Sequence, residues 1–349
     1  MVRASIVERS MSDEYSGKKK SKIRKEKSMK SMKWWKYLFI IGVVTLFFTN
    51  VGLAQKKKVL FIDSYHEGYE WSDSIVRGVK NVLGDKCELK IVRMDTKRNP
   101  SNEFKKKAGE KAKQEIDAWN PGVVIAADDN SAEYVIVPFY KGKDLPFVFC
   151  GLNWDASVYG FPWNNVTGMI EVSMGTQLID AMKKFAKGDR KGFLSVDNET
   201  SHKEFENWGS KLKLRFERDM HVKTFEEWKK AFIDLQGQVD MLVLENNAGI
   251  KGWNEGEAKS FVRAQTKIPT GCIHDFMAEY CLVGYTKIGE EQGEWSAGAA
   301  LQILSGKSPK DIPIVANQKG TLYANLGVAK KMNVTFPLAT LKAAKVIKD

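Results

Sequence analysis

The run Val59-Leu60-Phe61-Ile62, followed by Asp63-Ser64-Tyr65-His66-Glu67-Gly68-Tyr69-Glu70-Trp71 and then by Asp73 to Leu83, decides the fold. Four consecutive apolar residues bounded by polar ones read as a strand buried on both faces. Ile75, Val76, Val79 and Val82 then recur at helical spacing, so a strand hands over to a helix. The same unit repeats downstream. Leu89 to Met94 is extended and Glu103 to Trp119 is a charged helix stopped by Pro121-Gly122. Val123-Val124-Ile125-Ala126-Ala127 is a second apolar strand, Ala132 to Tyr140 a short helix, Phe147-Val148-Phe149-Cys150 a further strand, and Val166 to Val172 another extended run.

The pattern starts again after Thr176. Helices are expected over 176–185, 203–215, 226–235 and 255–265. Between them lie extended runs at Gly192–Val196, His221–Phe225, Val239–Leu244 and Ile268–Cys272. A helix over Glu290–Leu304, a strand around Ile312–Ala316 and a short helix at Leu326–Lys331 complete the chain. Alternating strands and helices imply parallel sheets covered on both faces. Two successive series of one type imply an α/β protein of two Rossmann-like lobes. With no low-complexity linker after Lys58, the lobes are expected to be joined by hinge strands.

Upstream lies a different kind of sequence. Lysines precede the apolar run Tyr37 to Phe48, and small residues follow it up to Gly52-Leu53-Ala54. A basic stretch, a short apolar core and small residues are the parts of a secretory signal, here residues 1–54 with an extended basic start. The core is short for a membrane span of about 20 residues. An uncleaved signal anchor is the alternative. The destination is periplasmic or otherwise extracytoplasmic. Removing the segment changes the charge: it holds 12 of the 55 Lys+Arg and 4 of the 43 Asp+Glu, so the remainder is 43 basic against 39 acidic, a net +4 rather than +12. That balance gives no nucleic-acid field. Cys272 and Cys281 are close enough in sequence for a loop-closing bond in an oxidising compartment, whereas Cys87 and Cys150 read as buried thiols.

In open parallel sheets, ligands bind beyond the carboxyl ends of the strands. The residues there are the candidates for a small-molecule site: Ser64, Tyr65, His66 and Trp71; Asp128, Asp129, Asn130 and Ser131; Asn153 and Trp154; and, in the second half, Asn198, Asn246, Asn247 and Asp275. Tyr65, Trp71 and Trp154 are expected to form an aromatic wall. Asp129 would meet a ligand ammonium, and Ser131 with nearby backbone N–H groups a carboxylate. Asn198, Asn246 and Asp275 would clamp from the second lobe. Such a pairing suits an aromatic or apolar amino acid.

Catalytic signatures are missing. His66-Glu67 would need a His at position 70, where Glu70 stands, to make the zinc motif. No GxSxG, GxGxxG or P-loop occurs, and no His pairs with a Cys at ligand spacing. Neither a metal, a cofactor nor catalysis is expected; a secreted hydrolase using Asp128-Asp129 ranks below binding.

The pattern Ser64-Tyr65-His66-x-Gly68-Tyr69-x-Trp71-x-Asp73, with Met94-Asp95-Thr96-Lys97-Arg98 and Asp128-Asp129-Asn130-Ser131-Ala132, resembles the ABC-transporter substrate-binding proteins of the uncharacterised type I class. So does the ending Asn325 to Pro337, although that family usually has a Gly where Met332-Asn333 stand. The resemblance implies the periplasmic-binding-protein type I fold, three hinge crossings, a solute closed between the lobes, and an ABC permease as membrane partner. It places lobe one at 56–169 plus 284–315 and lobe two at 172–282 plus 318–349. Similar modules serve as sensors, so presentation of the bound form to a receptor kinase is the alternative; no kinase segment follows in this sequence.

Overall fold

The computed structural model describes residues 56–348; the signal segment read at 1–54 lies outside them. Six strands form the first sheet: β1 (Lys57–Asp63), β2 (Cys87–Arg93), β3 (Val123–Ala127), β4 (Phe147–Asn153), β5 (Val166–Glu171) and a short β11 (Val315–Ala316). They run in the order β11-β5-β4-β3-β1-β2, and every pair is parallel. Helices α1 (Glu70–Leu83) and α2 (Asn102–Trp119) link the first three strands. After β3 comes α3, a continuous helical stretch of Asp128–Ser131, a π-helical turn Ala132–Ile136, and Val137–Tyr140. It starts four residues earlier than the apolar spacing suggested, so Asp128-Asp129-Asn130-Ser131 is the first turn of a helix and not a loop.

The second sheet repeats this plan. After α4 (Gly175–Lys183) come β6 (Lys191–Val196), α5 (Glu199–Ser210), β7 (Arg218–Val222), α6 (Phe225–Gln236), β8 (Met241–Leu244), α7 (Glu255–Gln265), β9 (Thr270–Cys272) and β10 (Val283–Lys287). Helix α8 (Gly289–Leu304) returns to the first sheet, and β11 follows it. Then β12 (Gly320–Asn325), α9 (Leu326–Lys331), α10 (Leu338–Ala343) and β13 (Lys345–Ile347) close the second sheet. Its order is β13-β12-β10-β9-β8-β6-β7, and only β10 and β12 pair antiparallel. The expected boundary at 282/284 therefore needs correction: 283–287 belong to the second sheet, and the chain crosses at Ile288. The expected helix 203–215 runs instead from Glu199, capped by Asn198, to Ser210. The strand expected at 221–225 ends at Val222, because Thr224 caps α6.

Each sheet buries apolar side chains on both faces, which is why its central strands read as unbroken apolar runs. Leu60, Ile62, Val124, Ala126, Phe147 and Phe149 face one side of the first sheet, and Val59, Phe61, Val123, Ile125, Val148 and Cys150 the other. The second lobe has one core around Phe193, Trp208, Trp228, Phe232 and Leu242. All four cysteines are buried free thiols. The loop-closing bond considered for Cys272 and Cys281 is not formed, and the Cys272 thiol points to the Val283 carbonyl.

Local capping supports this arrangement. Thr224 Oγ1 accepts from the Glu227 N–H at 3.3 Å, and Glu227 Oε2 accepts back from the Thr224 N–H at 3.1 Å. This reciprocal box satisfies donors that the first turn of α6 leaves open. Thr224→Ala is expected to cost about 1 kcal/mol, read as a lower urea midpoint with unchanged slope; an unaltered midpoint would count against the cap.

Candidate functional site

The sheet orders locate the site before any side chain is considered. In the first sheet β1 lies between β2 and β3, and in the second β6 lies between β7 and β8. Successive connections leave β1 and β6 in opposite directions, opening a crevice at the strand ends. The segments following β1 and β3 lie at that end of lobe one, and those following β6 and β8 at that end of lobe two.

Trp71, in the first turn of α1, donates its indole Nε1–H to Asp128 Oδ1 at 2.8 Å. Asp128 is 2% exposed, and its second oxygen, Oδ2, has no hydrogen-bond partner. Burial, then the nearby Glu171 carboxylate, push Asp128 well above the ordinary carboxylate range, against the Trp71 hydrogen bond that lowers it. Glu171 ends β5 and pairs with Lys287, which ends β10 in the other sheet. Lys287 Nζ also lies 5.5 Å from the centroid of the Trp71 ring, a cation–π contact. Burial pulls the Lys287 ammonium toward neutrality, but the Glu171 carboxylate outweighs it and the net shift is upward. Burial raises Glu171 in turn, moderated by Lys287.

Asp129 sits on the neighbouring position and is held differently. Its Oδ2 accepts from Asn153 Nδ2 at 2.5 Å and its Oδ1 from the Tyr159 hydroxyl at 2.8 Å. Tyr65 is half-buried, edge-on to Tyr69 at 5.3 Å, with Lys97 Nζ 5.2 Å from its ring centroid. Burial and the charges of Asp128, Glu171 and Asp129 raise its hydroxyl far above the usual value. Trp154, with φ of 61°, packs on the second-lobe core and donates Nε1–H to Glu204 Oε2 at 3.0 Å. Glu204 Oε1 accepts the Trp208 indole as well. Lys211 and Asp155 form a second link between the lobes at 2.5 Å, which holds Asp155 down at about 2.

Other expected contacts are turned inward. Ser64 and Ser131 are fully buried. Ser64 Oγ donates to the Ala127 carbonyl and accepts the Ser131 N–H, and Ser131 Oγ donates to the Asp128 carbonyl. These two serines brace β1 against α3, so Ser131, expected with nearby backbone N–H groups to meet a carboxylate, has both its hydroxyl and its own N–H engaged. Asn130 Nδ2 donates to Thr96 Oγ1 at 2.9 Å, and His66 Nδ1 pairs with the Glu67 carbonyl.

In lobe two, Asn198 Oδ1 caps α5 by accepting the Ser201 N–H, Asn246 Oδ1 accepts the Ala248 N–H, and Asp275 Oδ1 the Phe276 N–H. Asn247 lies beside Asn246, partly exposed. These side chains shape loops at the crevice. Buried Glu245 is the polar centre there: it accepts from Ser195 and from Ser201 Oγ, and lies 3.2 Å from His274 Nε2. Glu171, Glu204 and Lys287 are residues that sequence reasoning missed; the only signal was a carboxylate ending the apolar run Val166 to Ile170.

Three crossings join the lobes, and they are tied together. Asn317 Oδ1 accepts the Val172 N–H at 2.7 Å, and Glu291 accepts the N–H groups of Gln318 and Lys319. Gln292 Oε1 accepts the Gly151 N–H, and its Nε2 donates to the Ile170 carbonyl. Among the described residues there is no cluster of three or more metal-ligating side chains.

Two α/β lobes, three hinge crossings and a crevice at both switch points define the type I periplasmic-binding-protein fold. The family model described as ABC transporter substrate binding protein matches residues 69–348, and the chain belongs to that family. Similar solved structures include CD0873 of Clostridium difficile, a substrate-binding protein with adhesive properties in its ligand-free open form. It shares 17% identity over 83% of this chain and 99% of that one, with a TM-score of 0.63. An ABC domain from Streptococcus pneumonia in complex with L-Trp has 17% identity, 83% and 99% coverage, and a TM-score of 0.52. A conserved domain protein from Vibrio cholerae has 16% identity, 84% and 100% coverage, and a TM-score of 0.53. No curated protein sequence matches.

Proposed function

We propose that this chain captures a small solute outside the cytoplasm and delivers it to an ABC permease, and that the solute is an aromatic or apolar amino acid. The segment 1–54 would export it. The observation that carries the ligand class is the Trp71–Asp128 pair: a flat indole edge bonded to a buried carboxylate with one oxygen unpartnered. A buried carboxylate oxygen without a donor is costly, and a ligand ammonium supplies the donor. Tyr65, Trp71 and Trp154 offer flat surfaces for the rest of the solute. The L-Trp complex of the Streptococcus protein supports the same class for a protein of this fold.

Closure would bring lobe two down on the solute through the three crossings. Thermal-shift screening of residues 55–349 against amino acids, amines, purines and sugars tests the reading. A ligand at a hundredfold its Kd adds about 2.7 kcal/mol to the folded state, so an aromatic or apolar amino acid is expected to raise the midpoint by several degrees. A sugar that does so while every amino acid leaves it unmoved would overturn the ligand class.

A further inference from the structure

Trp71 connects a carboxyl group and an ammonium. Its Nε1–H bonds Asp128, and the face of the same indole carries the Lys287 ammonium at 5.5 Å. Lys287 lies within electrostatic reach of Asp128 as well as Glu171. An acceptor and a donor are thus held at the edge and over the face of one rigid ring. That is the charge pattern complementary to an α-amino acid head group, whose ammonium and carboxylate sit on one carbon.

Lys287 already serves Glu171. An ammonium has three N–H donors, so the Glu171 contact leaves others. Its side chain is 28% exposed, whereas Glu171 is 7% exposed. The lysine is therefore the more accessible partner of the pair. The Ser131 N–H cannot take the carboxylate role, since Ser64 holds it. Lys211 is engaged with Asp155. Asp128, Asp129, Glu171 and Glu204 would otherwise repel a ligand carboxylate.

We propose that Lys287 binds the ligand carboxylate while retaining Glu171, and is the residue that makes the site select amino acids over the corresponding amines. This rests on the amino-acid reading of the crevice. It places the recognising lysine at the end of β10, one residue before the chain crosses between the lobes at Ile288. Carboxylate binding would then bear directly on a hinge strand.

The test is calorimetry with L-tryptophan, tryptamine and indole-3-propionate on the wild-type chain, Lys287→Met and Lys287→Arg. A double variant, Glu171→Gln with Lys287→Met, removes both charges and guards against misfolding caused by an unpaired Glu171. Wild type is expected to bind L-tryptophan at least about tenfold tighter than either analogue. Lys287→Met and the double variant are expected to lose about tenfold or more for L-tryptophan while tryptamine changes little, and Lys287→Arg to keep part of the preference. An unchanged tryptophan-to-tryptamine ratio in both Met variants overturns the role of Lys287 alone. So does a wild type that prefers tryptamine. If wild type binds none of the three, the comparison is repeated with the amino acid that the thermal screen selects and its decarboxylated amine; if no amino acid binds, both the inference and the amino-acid reading are overturned.

Discussion

Gly293→Val is expected to break lobe one, lowering stability by about 3 kcal/mol or more and abolishing ligand-induced stabilisation. Helices α1 and α8 touch backbone to backbone. A Cβ at Gly293 would lie 2.0 Å from the Ile75 carbonyl oxygen and 2.8 Å from the Val79 nitrogen. The contact is mutual, since a Cβ at Gly78 would lie 2.3 Å from the Glu290 carbonyl oxygen. No flexible side chain is available to yield, so the helices themselves must separate. Their displacement reaches the crevice by two routes. Trp71 lies in the first turn of α1, and Gln292, next to Gly293, ties α8 to Gly151 and Ile170. Gly298→Ala is the control. Its Cβ meets nothing within 4 Å, so a helix-interior alanine should be neutral or gain up to about 1 kcal/mol. Urea unfolding of the two variants compares them directly. A Gly293→Val protein as stable as Gly298→Ala would refute the close crossing.

How much of this was legible beforehand follows from burial. Val59–Ile62, Val123–Ala127, Phe147–Cys150 and Met241–Leu244 are covered on both faces, so sequence and strand coincide. The strands Val283–Lys287, Gly320–Asn325 and Lys345–Ile347 escaped the reading because they mix buried and half-exposed positions and include the antiparallel pair. The helix beginning at Asp128 was hidden because polar residues after a strand resemble a loop. At the crevice, strand-end reasoning gathered Tyr65, Trp71, Asp128, Asp129, Asn153 and Trp154, which the fold brings to one end of the first sheet. It could not separate Ser64 and Ser131, whose polar atoms are consumed within the lobe, from residues whose polar atoms are less enclosed. Nor could it join Glu171 to Lys287. They end strands of different sheets, and only the crossing geometry brings them into contact.

Asp128→Asn is expected to separate stability from binding. In the folded chain Asp128 keeps its proton to higher pH than an ordinary aspartate near 3.8. A group raised in this way stabilises the fold fully below its unfolded value, and that contribution is lost as pH rises through the folded one. Above that raised folded value the ligand-free protein carries a buried charge with one oxygen unpartnered. Asparagine keeps the Oδ1 that accepts Trp71, and it tolerates the left-handed backbone at this position, where φ is 64°. The substitution should raise ligand-free stability by about 1–3 kcal/mol at pH 8. The gain should shrink as the pH falls through the folded value and be smallest below about 3.9, where Asp128 is protonated in both states. The same change removes the charge that a ligand ammonium would meet. The shift produced by the best amino acid from the screen should then drop by an amount equivalent to about tenfold or more in affinity. Thermal midpoints from pH 4 to 9, with and without that amino acid, give both readings. A variant less stable at pH 8 with an undiminished ligand shift would mean that Asp128 is a structural brace for Trp71. The opposite result would identify it as a site kept at a cost to the empty protein, relieved when a cation arrives.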